Sequence, residues 1–196
     1  HDRIGDNWRK RYHSLALHNQ IQVNHMPYMP FPPTWPKYIP KDMLANWFEA
    51  YAWALQINAW TGAEFVGGTY DEAAGRWKAV VRRRDGSERI LSPRHLIFAN
   101  GVSGLPRIPS LPGLEEFAGA VGHSHGFTGG SPWRGRKVLV LGTGNSGHDI
   151  AHELHSHGAD TTIIQRGSTT VVTVDPSAKL NYALYDEGPL EDCDLL

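Results

Sequence analysis

The run Gly142-Thr143-Gly144-Asn145-Ser146-Gly147 spaces its glycines as a phosphate cradle requires. Each glycine has a separate task there: Gly142 permits the tight turn, Gly144 lets a pyrophosphate approach the backbone, and Gly147 lets the helix pack closely on its strand. The helix amides then meet the phosphate charge, with Asn145 and Ser146 as the first side chains at that end. Such glycines are common by themselves, but here they stand between the apolar run Val138-Leu139-Val140-Leu141 and a helical pattern, which makes the motif specific. A site for an unphosphorylated ribose usually places Asp or Glu about 20 residues beyond the first glycine, to accept from the 2′-hydroxyl. The corresponding stretch, Ile163-Ile164-Gln165-Arg166-Gly167-Ser168-Thr169, has no acid. Arg166 can instead pair bidentately with a 2′-phosphate, with Ser168 or Thr169 donating further bonds, so the residues favour NADP over NAD. The plain alternative for Arg166 is a surface arginine without a ligand.

Other chemistry-bearing side chains narrow the classes. His148, His152 and His155 share one side of the helix after the glycine turn, while Ile150, Ala151 and Leu154 form its apolar face. The spacing His-Glu-x-x-His is absent, because Glu153 is followed by Leu154 and His155, and no metal site is expected. His123 and His125, flanked by Gly122 and Gly126, suit either an organising position or a polar loop. The single Cys193 excludes an internal disulfide, a four-cysteine zinc site and a Cys-x-x-Cys pair within this sequence. Among the 196 residues 40% are apolar and 20% charged, a globular balance, and the formal net charge of -1 gives no field to gather nucleic acid or an anionic membrane. No window reaches ~18 consecutive apolar residues, and His1-Asp2-Arg3-Ile4-Gly5-Asp6 holds no signal-peptide core. A cytoplasmic protein without a membrane segment is the resulting expectation.

These residues need elements to hold them. Residues 1–40 read as irregular, since the prolines of Met26-Pro27-Tyr28-Met29-Pro30-Phe31-Pro32-Pro33 lack amide donors and fix φ. From Pro40 the period changes: Leu44, Trp47, Phe48, Tyr51 and Leu55 form one stripe, predicting a helix to about residue 57. Strands are expected over Ala63–Tyr70, Arg76–Arg83 and Glu88–Leu91, with a hairpin turn at Asp85-Gly86, making a small β-meander. Leu96-Ile97-Phe98 reads as a further short strand, followed by a rigid connector containing Pro106, Pro109 and Pro112. A buried strand over Lys137–Leu141, a helix over Ser146–His157 and a strand over Thr161–Gln165 compose a β-α-β unit, which calls for a parallel sheet. The tail after Val174 is weakly patterned.

The sequence resembles an internal part of a flavin-dependent monooxygenase, in the group that includes flavin-containing monooxygenases and Baeyer–Villiger enzymes. Phe117-x-Gly119-x-x-x-His123-Ser124-x-x-Phe127, just upstream of the glycine turn, carries most of that likeness. Phe98-Ala99-Asn100-Gly101 is similar to the Ala-Thr-Gly segment that returns the chain to the flavin domain, with Asn100 in place of the usual Thr. Gly5-Asp6-Asn7-Trp8, Arg11-Tyr12, Leu15-x-Leu17-His18, Pro30-Phe31-Pro32 and Trp35-Pro36 resemble the segment beside the isoalloxazine. Asn145-Ser146-Gly147-His148-Asp149-Ile150-Ala151 with Gln165-Arg166 is most similar to fungal and bacterial members, and the likeness runs through Glu187-Gly188-Pro189 to Asp192-Cys193-Asp194-Leu195-Leu196.

The resemblance implies an α/β fold with two dinucleotide-binding, Rossmann-like domains and a small β-meander. Residues 1–112 would be a partial FAD-binding domain, incomplete at its N-terminal side, and residues 113–196 a partial NADP-binding domain. Family members carry an earlier strand, glycine fingerprint and helix for the ADP half of FAD, which this sequence does not contain. The implied reaction is hydride transfer from NADPH to FAD, reaction with O2, and transfer of one oxygen atom to a small organic substrate. It also implies that Trp8 and His18 lie near the flavin, that His123 organises the cofactors, and that Gly142, Gly144, Asn145, Ser146, Gly147, Arg166 and Ser168 hold NADPH. Alternatives are a core tryptophan, a core histidine and a hinge histidine for Trp8, His18 and His123. At the level of the protein, they are a flavin disulfide reductase or a non-catalytic nucleotide-binding fragment.

Overall fold

A computed structural model of the chain describes residues 1–21, 24, 26–101 and 104–172. The expectations about the tail after Val174, with Cys193, lie outside the described residues. Cα packing divides the chain into two units, His1–Lys10 with Ala45–Pro112, and Arg11–Leu44 with Gly113–Leu196.

In the first unit, α1 (Asp6–Arg9) is a single turn and α2 (Lys41–Ala54), which begins in the other unit, supplies the apolar stripe. Trp47 and Tyr51, one turn apart, are buried and stacked with ring centroids 5.0 Å apart. The helix ends three residues before the expected position. Gln56 adopts φ 52°, its amide donates to the Trp53 carbonyl at 3.1 Å, and the Ile57 amide returns to Ala52 at 2.9 Å. That pair of bonds is a left-handed C-terminal cap, and it leaves Leu55 beyond the helix and exposed. Gly5 faces the Ala45 backbone at φ 87°, where a β-carbon would collide with the Ala45 carbonyl oxygen.

Beside that contact, buried Asp6 pairs with Arg9 at 3.1 Å and Lys10 at 3.8 Å, and Arg9 reaches on to Glu49 at 3.1 Å. Burial pushes the Asp6 carboxyl up, but the bonds from Arg9 and the Arg3 amide and the charges of Lys10 and Arg9 outweigh it, leaving it below the usual carboxylate range.

The meander forms as β1 (Glu64–Asp71), β2 (Arg76–Arg82) and β3 (Glu88–Leu91), antiparallel in that order. The Asp85-Gly86 turn is closed by the Ser87 amide and hydroxyl donating to Asp85, at 2.9 and 2.6 Å, with Gly86 at φ 81°. Leu96-Ile97-Phe98 is not a strand: Ile97 is 84% and Phe98 67% exposed, and no described strand lies beside them to complete a ladder.

In the second unit β4 (Lys137–Leu141), α3 (Asn145–Ser156) and β5 (Asp160–Ile164) make the β-α-β unit, with β4 and β5 parallel and Leu141 opposite Ile164. Ile150, Leu154 and Ala159 form its core, against half-buried Phe127, Trp133, Val138 and Val140. Leu154 is almost fully covered, a burial that stabilises by about 1.5–3 kcal/mol. The expectation of a buried β4 needs correction: Val138 and Val140 turn toward α3, while Leu139 and Leu141 are 54% and 52% exposed. Alternation sends neighbouring side chains to opposite faces, and α3 covers only one of them. The described residues between 11 and 40 lack any long helix or strand, as the prolines require. Backbone bonds fasten Arg11–Leu44 to itself, Leu17 to Ile39 at 2.9 Å and Lys41 to Leu15 at 3.0 Å, around fully buried Ile39.

Candidate functional site

The loop from β4 into α3 has the geometry of a phosphate cradle. Its Gly142 amide donates to the Ile164 carbonyl at 2.8 Å, extending the β4–β5 pairing by one residue, and Gly142 then turns at φ 110°, a conformation natural only for glycine. A β-carbon on Gly147 would collide with the Gly142 carbonyl oxygen, so that glycine closes α3 against the end of β4. Gly144 differs from both. It is extended, caps α3, and a β-carbon there would meet nothing within 4 Å. Its bare backbone therefore lines the open side of the turn, where a pyrophosphate needs close approach, while the first amides of α3 have no carbonyl one turn earlier in the helix. The cradle fits a dinucleotide phosphate.

The segment after β5 is tied to this turn. The Thr143 and Thr169 hydroxyls lie 2.5 Å apart, so the exposed Arg166 and Ser168 occupy a loop anchored at both ends, by the Gly142–Ile164 bond and by the threonine pair. An exposed guanidinium on such a loop suits a 2′-phosphate.

His18 comes to the same place. The Asn145 side-chain amide, at the first position of α3, is 3.4 Å from His18 Nε2 and 3.5 Å from Nδ1. Two further contacts, both missed in the sequence, hold the stretch before His18 on α3. The buried Tyr12 hydroxyl donates to Asp149 at 2.6 Å, and Ser14 bonds Glu153, which also accepts from the Gly130 amide at 3.3 Å. Burial first, and then the bond to the Asp149 carboxylate, push the Tyr12 phenol well up, so it remains a donor throughout the physiological range. Burial raises the Glu153 carboxyl, but Ser14, the Gly130 amide and the nearby His157 and His152 more than offset this and hold it low. A signal was present: Asn145, Asp149 and Glu153 recur every four residues and form one polar stripe on α3. What the stripe lacked was a partner, since Tyr12 is 137 residues from Asp149 in the chain.

The remaining expected residues sit elsewhere. Trp8 is half-buried in α1 of the first unit. His123 is half-buried before the Ser124–Gly126 turn, where its Nδ1 accepts from the His125 amide at 3.1 Å. Of the α3 histidines, His152 and His155 are exposed, and His148 is half-buried with an Nε2 that has no hydrogen-bond partner among the described residues. Among the described residues no group of three or more His, Cys, Asp or Glu is placed to hold a metal ion.

Comparison with known proteins places this geometry in a context. A family model described as flavin-binding monooxygenase-like matches residues 2–181. Indole-3-pyruvate monooxygenase YUCCA1 of Oryza sativa subsp. japonica is 37% identical over 172 residues, covering 87% of this chain and 41% of the relative. The chain thus spans about two fifths of that relative's length. The flavin-containing monooxygenase from Stenotrophomonas maltophilia superposes with a TM-score of 0.78 at 25% identity, over 92% of this chain and 52% of that one. A bacillithiol disulfide reductase from Bacillus cereus shares the fold, with a TM-score of 0.72 at 20% identity over 92% of this chain and 54% of that one.

Proposed function

This chain belongs to the flavin-binding monooxygenase-like family, and from that premise we propose that the full-length protein is an FAD- and NADPH-dependent monooxygenase. It would transfer one oxygen atom from O2 to a small organic substrate. The observation that carries the NADPH part is the glycine turn, closed at Gly142 and Gly147 and open at Gly144, with Arg166 on a loop anchored to it. Residues 113–196 are then part of an NADP-binding domain and residues 1–112 part of an FAD-binding domain, with Arg11–Leu44 packed in the former's unit.

In this reading the backbone of Gly142–Gly147 receives the pyrophosphate, Asn145 and Ser146 add side-chain donors at the end of α3, and Arg166 with Ser168 selects the 2′-phosphate. His18, which the family resemblance sets near the flavin, is held beside Asn145 and so also borders that site. Trp8 belongs to the flavin side, and His123, fixed by its bond to the His125 amide, keeps the loop before β4 in one shape. Bound FAD and NADPH would supply the redox chemistry, while the protein orients them and limits access of water.

The identity to a relative named for indole-3-pyruvate makes that 2-oxo acid the first substrate to assay; sulfur and nitrogen nucleophiles and ketones follow. The deciding measurement is NADPH-dependent O2 consumption by the full-length flavin-loaded protein, with product analysis. An oxygenated product supports the proposal. NADPH oxidation that reduces a disulfide without O2 uptake would indicate the reductase reading, and binding without turnover a non-catalytic one.

A further inference from the structure

We infer that Tyr12 and Asp149 are positioning residues for the nucleotide site: their hydrogen bond sets the stretch from Tyr12 to His18 on the polar stripe of α3 and so holds His18 against Asn145 at the glycine turn. The inference rests on the reading of that turn as a dinucleotide site. Besides the bond between the Tyr12 hydroxyl and the Ser146 side chain, three contacts define the seam. Tyr12 meets Asp149 at 2.6 Å, Ser14 meets Glu153, and His18 meets Asn145 at 3.4 Å. The last lies at the first residue of α3, beside the open Gly144, and the two earlier contacts lie one and two turns along the same stripe.

Tyr12 is suited to the task. Only 4% of it is exposed, its ring centroid is 6.1 Å from that of Phe127, and its hydroxyl reaches a carboxylate that is otherwise on the surface of the helix. His18 is exposed and makes weak, long contacts, so its own bonds do not fix it. The seam fixes it instead, because a charge-assisted bond is stronger than a neutral one. A phenylalanine at position 12 keeps the ring packing and removes the hydroxyl, with its bonds to Asp149 and to the Ser146 side chain.

The test is calorimetric titration of NADP+ into the full-length flavin-loaded protein, comparing the parent sequence with Y12F, D149A, H18A and the Y12F/H18A double variant. Y12F, D149A and H18A are each expected to weaken binding about three- to tenfold, from the loss of hydrogen bonds near the site. The double variant should bind like H18A alone, since Tyr12 acts through His18. Equal losses from Y12F with and without His18, or unchanged affinity in Y12F, overturn the inference. If Y12F does not fold, D149A, at an exposed helix position, carries the same comparison in the presence and absence of His18. A parent protein that takes up no NADP+ overturns the dinucleotide reading and this inference with it. Normal uptake with an unaffected Y12F overturns only the inference.

Discussion

Arg166 shows how far one side chain can be read from its type. Its planar fork of donors suits a phosphate, and no acid between residues 163 and 169 competes for a ribose hydroxyl. The structure adds that the loop carrying it is fastened by the Thr143–Thr169 hydroxyl contact. Replacing Arg166 with Ala in the full-length protein is expected to weaken NADPH by tenfold or more, on the order of 1.5–3 kcal/mol for a charged bond, and NADH much less. Equal losses in paired titrations would remove the 2′-phosphate assignment. Tyr12 illustrates the opposite case. Its residue type announces nothing, and only its burial and its bond to Asp149 reveal what it does.

At the scale of elements, the glycine turn separates folding from binding. Gly147 abuts the Gly142 carbonyl, whereas Gly144 opens onto empty space. G147A should therefore destabilise the protein by about 1–3 kcal/mol, because the β-carbon forces α3 away from β4. G144A should leave the thermal unfolding midpoint nearly unchanged and still lose NADP+ affinity, because its methyl occupies the side from which phosphate approaches. Calorimetric unfolding and nucleotide titration of the two variants test both halves. The elements themselves were legible wherever a local period was clear. The three meander strands and the β-α-β unit lie within a residue or so of their expected bounds. Two elements differ from their local pattern: α2 stops at the left-handed Gln56, which no glycine marks, and Leu96–Phe98 has the composition of a strand but no described neighbour to pair with. Apolar type alone does not supply ladder bonds.

At the scale of the whole molecule, both units leave apolar side chains in water. Leu139, Leu141, Ile163 and Ile164 are exposed on β4 and β5, and Ile90, Ile97 and Phe98 are exposed in the first unit. Residues 1–196 expressed alone are expected to bind a hydrophobic dye and to self-associate. A monodisperse protein that leaves the dye dark, measured by fluorescence and light scattering, would contradict this. The sequence by itself determined the glycine spacing, the missing acid, the helix and strand periods and the family likeness, because all of these are set by residues close together in the chain. Only the tertiary structure decided which face of β4 is covered, and that Tyr12, Ser14 and His18 meet the stripe of α3. The contacts to α3 join residues more than a hundred positions apart, and no local pattern encodes which polar stripe will find which partner.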